Sequence, residues 1–191
     1  NNPHFVSCSQ EAYLKKFDLI GGIRQNGIFL LNTTHSVEDM EHFLPNNVKR
    51  ILAKRNVRFY IIDGYKLAKE LGEVKLISTI MQSAFFKLAT TVMPYELAQK
   101  AMKSMAQKTF ARKGEDIVKM NLSAVDRGAE DIVKVTINPE WANLKDENVV
   151  DTNRPDFVRN IADKVNAIKG YDLPVSAFLG YEDGSIPSGT A

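Results

Sequence analysis

The chain has 191 residues, of which 44% are hydrophobic and 25% charged, and its net charge is +2. That length suits one domain, or one domain with an appendage, and the composition is that of a folded globular protein. A charge this small does not predict nucleic-acid binding, no run of about eighteen apolar residues supplies a membrane span, and Cys8 alone can build neither an internal disulfide nor an iron–sulfur cluster. The amino terminus lacks the basic-then-apolar pattern of a secretory signal, and a lone thiol suits a reducing cytoplasm, the expected location.

The first half alternates strands and helices. Residues 4–8 read as a short buried strand and 10–18 as a helix stopped at Gly21-Gly22. Gly27-Ile-Phe-Leu-Leu-Asn32 is a second strand, a short apolar run bounded by turn residues. Ser36 is placed to cap a short helix whose first turn holds Glu38 and Asp39, which complement the helix dipole. Pro45 starts the basic segment 46–55, Val57-Arg-Phe-Tyr-Ile-Ile62 is a third strand, and 64–71 is the helix after it. Strands that alternate with helices imply parallel pairing and an α/β layer architecture.

The middle is helical, with amphipathic segments near 74–91, 94–112 and 114–129. Ile77, Ile80, Met81, Ala84, Phe85 and Leu88 form the apolar stripe of the first. Leu97, Ala98, Ala101, Met102 and Met105 form that of the second, and Ile117, Met120, Ala124 and Val125 that of the third. Pro94 sits at a helix start, where its missing N–H costs nothing. Beyond Asp131 the character changes: 132–137 is extended, Pro139, Trp141 and 146–151 read as a connector, a last helix covers 155–168, and the tail with Gly180, Gly184, Pro187 and Gly189 is turn-rich. The expected division is a unit over 1–130 and an extension over 131–191 that leads toward another domain.

Few residues offer chemistry. His35 and His42 lack a third ligand at metal-like spacing and read as surface or capping residues, with His4 apart from both. Neither G-x-G-x-x-G nor a P-loop occurs; Gly64 follows a strand and opens a helix, which a tight turn explains. Cys8 reads as a small buried hydrophobe. Asn121 interrupts an apolar stripe, so its amide needs buried partners. Lys87 is placed to extend past an apolar surface, and Phe86 lies off the stripe, where an exposed ring would mark a docking face. The basic clusters Lys49, Arg50, Lys54, Arg55, Arg58 and Lys100, Lys103, Lys108, Arg112, Lys113 read as solvated helix faces that could also meet an acidic neighbour.

Several literal strings say more than these patterns. Lys16-Phe-Asp-Leu-Ile-Gly-Gly-Ile-Arg24, Gly27-Ile-Phe-Leu-Leu-Asn-Thr33, Thr79-Ile-Met-Gln-Ser-Ala-Phe-Phe-Lys-Leu-Ala89, Met120-Asn-Leu-Ser-Ala-Val-Asp126, Leu173-Pro-Val-Ser-Ala-Phe178 and Asp183-Gly-Ser-Ile-Pro-Ser-Gly-Thr-Ala191 occur in this order. Together they resemble the middle, γ-type domain of single-chain pyruvate:ferredoxin (flavodoxin) oxidoreductases. The resemblance implies an α/β fold: a partial Rossmann-like parallel sheet with flanking helices, a helical layer and an irregular C-terminal extension. It implies a parent enzyme that oxidatively decarboxylates pyruvate with coenzyme A, using thiamine diphosphate, Mg2+ and [4Fe-4S] clusters held on other domains. The implied parent is a homodimer, with ferredoxin or flavodoxin as electron acceptor. For this chain it implies no catalytic, cofactor-binding or metal-ligating residue. Asn32, Phe85, Phe86, Lys87, Asn121 and Asp126 are the family-motif residues with structural or interface roles. It places coenzyme A contacts chiefly in a glycine-rich segment upstream of Asn1. One departure stands out: where the family has Gly-Leu-Gly-Asn/Gly-Arg, this chain reads Gly72-Glu-Val-Lys75. A stand-alone interaction module and a small Rossmann-type nucleotide-binding enzyme are the alternatives.

Overall fold

The computed structural model describes residues 2–145 and 153–188. The expected connector at 146–151 and the tail residues Gly189 and Thr190 lie outside the described residues. Four strands, β1 (Phe5–Cys8), β2 (Ile28–Asn32), β3 (Arg58–Ile62) and β4 (Val133–Val135), form one sheet in chain order. β1, β2 and β3 are mutually parallel, as the alternation predicts. β4 departs from it by pairing antiparallel with β3, Val133 opposite Ile61 and Val135 opposite Phe59. The helix before β4 delivers the chain beside the carboxyl end of β3, so the strand can only run back along it.

Side chains of a strand alternate between its two faces, and the sheet is buried on both. Phe29, Leu31, Phe59 and Ile61 point into one core with α1 (Tyr13–Lys16), α2 (Met40–Phe43) and α3 (Asn46–Lys54). Leu30, Tyr60 and Ile62 point into the other, with α4 (Gly64–Glu70), α5 (Ile77–Leu88) and α7 (Glu115–Glu130). Phe29 stacks on Phe59 at a centroid distance of 5.4 Å, and both are fully buried. Burial of one such side chain stabilises by about 1.5–3 kcal/mol, so a one-residue register slip, which would exchange the two faces, is strongly disfavoured.

The segment 10–18 yields only the single turn α1. The chain becomes extended at Phe17, which lets Ile20 and Ile23 drop into the core at 1% exposure each. Ser36 and Asp39 cap one another: the Ser36 N–H donates to Asp39 Oδ2 (2.8 Å) and the Asp39 N–H to Ser36 Oγ (3.4 Å). The short helix α2 then begins at Met40, after the segment expected to be helical.

The helical layer holds a correction. α5 buries Ile80, Met81 and Ala84 as its stripe predicts, and α7 buries Ala124 and Val125. α6 (Tyr95–Phe110) does not follow its stripe: Ala98 and Ala106 face inward, whereas Leu97 is 60% and Met105 66% exposed and Ala101 is exposed between them. Small residues let the helix lie close to its neighbours, so the larger arm of the stripe turns outward. At the loop that departs from the family pattern, Gly72 takes φ +91° and Glu73 caps the next turn by accepting from the Lys75 N–H. A positive φ of this kind is open to glycine without strain.

After β4, the turn Pro139–Asn143 seats Trp141 in the core at 4% exposure. Arg50 donates to the Leu144 carbonyl and Asn46 to that of Lys145, which ties this turn to α3. The last helical segment contains a π turn, Val158–Ala162, and then α8 (Asp163–Asn166). The tail carries short 3-10 turns with positive φ at Gly180 and Gly184.

Candidate functional site

In open α/β sheets, ligands gather at the carboxyl ends of the parallel strands. A crevice of about 370 Å³ lies there, at the ends of β2 and β3, lined among others by Thr33, Thr34, His35, Ser36, Asp63, Lys66, Arg127 and Asp131. Asn32, next to Thr33 in the chain, braces the strand ends there. Its side chain is fully buried; Nδ2 donates to the Ser9 carbonyl (3.1 Å) and Oδ1 accepts from the Gly64 N–H (2.8 Å), so one amide links the ends of all three parallel strands. A Cβ on Gly64 would stand 2.9 Å from Asn32 Oδ1, which explains the glycine. Asp63 then caps α4 by accepting from the Lys66 N–H (2.8 Å).

The walls are polar and largely committed. Thr33 Oγ1 donates to Glu11 (2.6 Å) and accepts from the His35 N–H (3.1 Å). The His35 ring lies 4.2 Å from that of Phe43 and near Glu11 and Asp39. Hydrogen bonds from the Ser36 N–H and then the Ser36 hydroxyl hold the Asp39 carboxyl below its ordinary value. Arg127 donates to Asp131 (2.6 Å) and to Glu70 (3.2 Å), and these carboxylates, Asp131 first, push its pKa up. Lys66 stands exposed at the mouth. The arrangement can receive a polar or anionic group, but it places no nucleophile beside a base. Cys8 is no substitute: burial pushes its thiol up, and Sγ donates to the Gln10 carbonyl (3.1 Å).

A second, wider cleft of about 820 Å³ runs beside α1 and the start of α3, lined by Lys15, Lys16, Lys49, Arg50 and Lys169 together with Asp18 and Glu41. Part of the first basic cluster is internal here, against the expectation of a solvated face. Lys49 is 7% exposed, donates to the Glu41 carbonyl (2.9 Å) and lies 3.8 Å from its carboxylate, which also accepts from Trp141 Nε1 (2.7 Å). Such a Glu41–Lys49–Trp141 contact spans about half the chain, and no local pattern announces it; the lone tryptophan was its one visible sign.

The remaining motif residues are not brought into one site. Phe85 packs edge-on against Phe5 (4.9 Å) and Phe86 (5.1 Å), and Phe86 is half-buried instead of exposed. Lys87 extends over the Tyr95 ring at 4.9 Å. Asn121, 6% exposed, satisfies Nδ2 on the Ile117 carbonyl one turn back (2.9 Å). Asp126 joins α7 to α6, accepting from Gln99 (2.7 Å) and Lys103 (2.6 Å). Among the described residues no group of three His, Cys, Asp or Glu side chains could hold a metal ion. A [4Fe-4S] cluster takes four thiolates, and the whole chain holds one cysteine. No helix of the described residues is long and apolar enough to cross a membrane.

Comparison with known proteins places this geometry. The family model described as pyruvate ferredoxin/flavodoxin oxidoreductase matches residues 1–131, and one described as a domain of unknown function matches 143–191. The chain is 41% identical to a pyruvate-flavodoxin oxidoreductase of Klebsiella pneumoniae over 98% of its own length, and 40% identical to a pyruvate:ferredoxin oxidoreductase of Moorella thermoacetica over 97%. It spans only 16% of the length of each. A pyruvate dehydrogenase [NADP(+)] of Cryptosporidium parvum is 32% identical over 97% of this chain, which covers 11% of that protein. The crystal structure of pyruvate oxidoreductase subunit PORC from Thermotoga maritima superposes with a TM-score of 0.54 at 20% identity, covering 70% of this chain and 65% of that one, a likeness of fold. The chain therefore belongs to the pyruvate ferredoxin/flavodoxin oxidoreductase family.

Proposed function

We propose that this chain is the γ-type scaffold segment of a larger cytoplasmic enzyme, which oxidatively decarboxylates pyruvate with coenzyme A to acetyl-CoA and CO2. Ferredoxin or flavodoxin accepts the electrons. Thiamine diphosphate, Mg2+ and the [4Fe-4S] clusters belong to other domains of a homodimeric parent. Residues 1–130 supply the α/β unit that packs against the catalytic domains and borders the coenzyme A path, and 131–191 lead toward the next domain. One observation carries this reading: identity of about 40% runs along nearly the whole chain, yet the match uses only 16% of each relative.

The test is an assay of two polypeptides, the product of the complete reading frame and the 191-residue chain, for pyruvate-dependent acetyl-CoA formation with a reducible acceptor. The complete product is expected to be active and the chain inactive. Turnover by the chain itself, or none by a cofactor-loaded complete product, overturns the reading. Calorimetric titration of both with coenzyme A tells whether the ligand surface lies within these residues.

A further inference from the structure

Helix α6 is anchored on one side and bare on the other. Its inner side is held by Ala98 and Ala106 and by the bonds of Gln99 and Lys103 to Asp126. Its outer side carries Leu97 and Met105 at 60% and 66% exposure, with Ala101 exposed between them and Met93, 37% exposed, just before the helix. Residues spaced by four fall along one ridge of a helix, so these side chains form a continuous strip with a dip at Ala101. Lys100 and Lys108 stand exposed beside the strip without an acidic partner among the described residues. The surface is apolar along its length and positive at its flanks.

We propose that this ridge docks an amphipathic segment with acidic flanks, contributed by another domain of the same parent polypeptide. The inference rests on the reading of the chain as one segment of a larger oxidoreductase. Relatives about 40% identical along this chain use only 16% of their length in the match, so most of each must find surfaces on which to pack. Charge selects against a second copy of this chain. Self-pairing along the strip would gather Lys100 and Lys108 from both copies, and Glu96 is the one acidic residue that α6 itself carries. A segment of opposite charge answers these cations and covers the leucine and methionine together. The firm attachment of α6 to α7 makes the ridge a fixed platform.

The experiment uses the complete polypeptide. Zero-length carbodiimide coupling with peptide mass spectrometry should join Lys100 or Lys108 to acidic residues outside 1–191 of the same molecule. Hydroxyl-radical footprinting should find Met105 protected, and Leu97→Asp should raise its modification rate at least about fivefold. Coupling of Lys100 to Glu96 of a second copy overturns the proposed occupant. A Met105 rate that is already high and unchanged by Leu97→Asp shows an uncovered ridge and overturns the docking itself, whether or not coupling is seen. Either failure in an active enzyme leaves the functional proposal standing, whereas an inactive complete product counts against that proposal first.

Discussion

Both ends of the buried Asn32 amide are committed, to Ser9 and to Gly64. Asn32→Leu strands the Gly64 N–H without a partner, and an unsatisfied buried donor costs about 1–3 kcal/mol. The denaturation midpoint should fall accordingly, and an unchanged midpoint would remove the clamp from the description of the crevice. Tyr95 offers a test of a different kind. Its hydroxyl lies 3.1 Å from Ser83 Oγ and 3.4 Å from the Val125 carbonyl, and burial pushes its pKa above the ordinary 10.0 despite the opposing hydrogen bond with Ser83. The folded chain thus holds this proton more tightly than the unfolded chain. That contribution is complete below the unfolded value and declines as pH rises through it toward the folded one. Above about pH 10, stability should therefore fall more steeply in the parent chain than in Tyr95→Phe; equal slopes would contradict it. Asn32 was legible as the last residue of an apolar run, and Asn121 as a misfit in its stripe. Their hydrogen-bond partners were not, because an amide carries no local mark of whether it will be met one turn back or across a sheet.

Between elements, α5 and α7 approach each other closely at Gly128. A Cβ on Gly128 would stand 2.4 Å from the Ile80 carbonyl oxygen and 2.9 Å from Ser83 Cβ, and the Ser83 hydroxyl donates to the Val125 carbonyl across the same seam. Gly128→Ala must push the helices apart, an overpacking typically worth about 1–3 kcal/mol, although alanine favours an isolated helix by about 1 kcal/mol. The net outcome expected is a lower melting temperature with unchanged helix content by circular dichroism; a higher melting temperature would show that propensity wins and the seam is loose. Periodicity located α5, α6 and α7, and it chose the inward face of α5 and α7 correctly. On α6 it marked a stripe wide enough to include two possible faces, and packing selected the one with small residues. β2 and β3 were legible because their apolar runs are continuous. The direction of β4 was not, since it depends on where a helix of sixteen residues sets the chain down.

For the molecule as a whole, Trp141 ties the segment after β4 back to the first half of the chain. It is 4% exposed, bonded to Glu41 and packed with α3, and it carries residues beyond β4 onto the α1–α3 side of the sheet. Trp141→Ala should cost about 3–5 kcal/mol, and it should release the 139–145 segment, seen as faster amide exchange there than in β2. Uniform loss of protection would show instead that the segment belongs to the same cooperative unit as the sheet. No sequence motif predicted this anchor, because side chains a hundred positions apart meet only once both faces of the sheet are covered.

The antiparallel fourth strand also has a consequence in time. Ile61 must wait for Val133, 72 positions later (133 − 61), before the outer side of β3 is paired. At a ribosomal rate of about 5–20 residues per second, that interval lasts roughly 4–14 s. Throughout it the nascent chain presents an open row of peptide groups, the kind of template on which neighbouring chains on a polysome can assemble. Slow codons or chilled cultures lengthen that wait, and the yield of folded protein should respond to the pace of translation between these two strands.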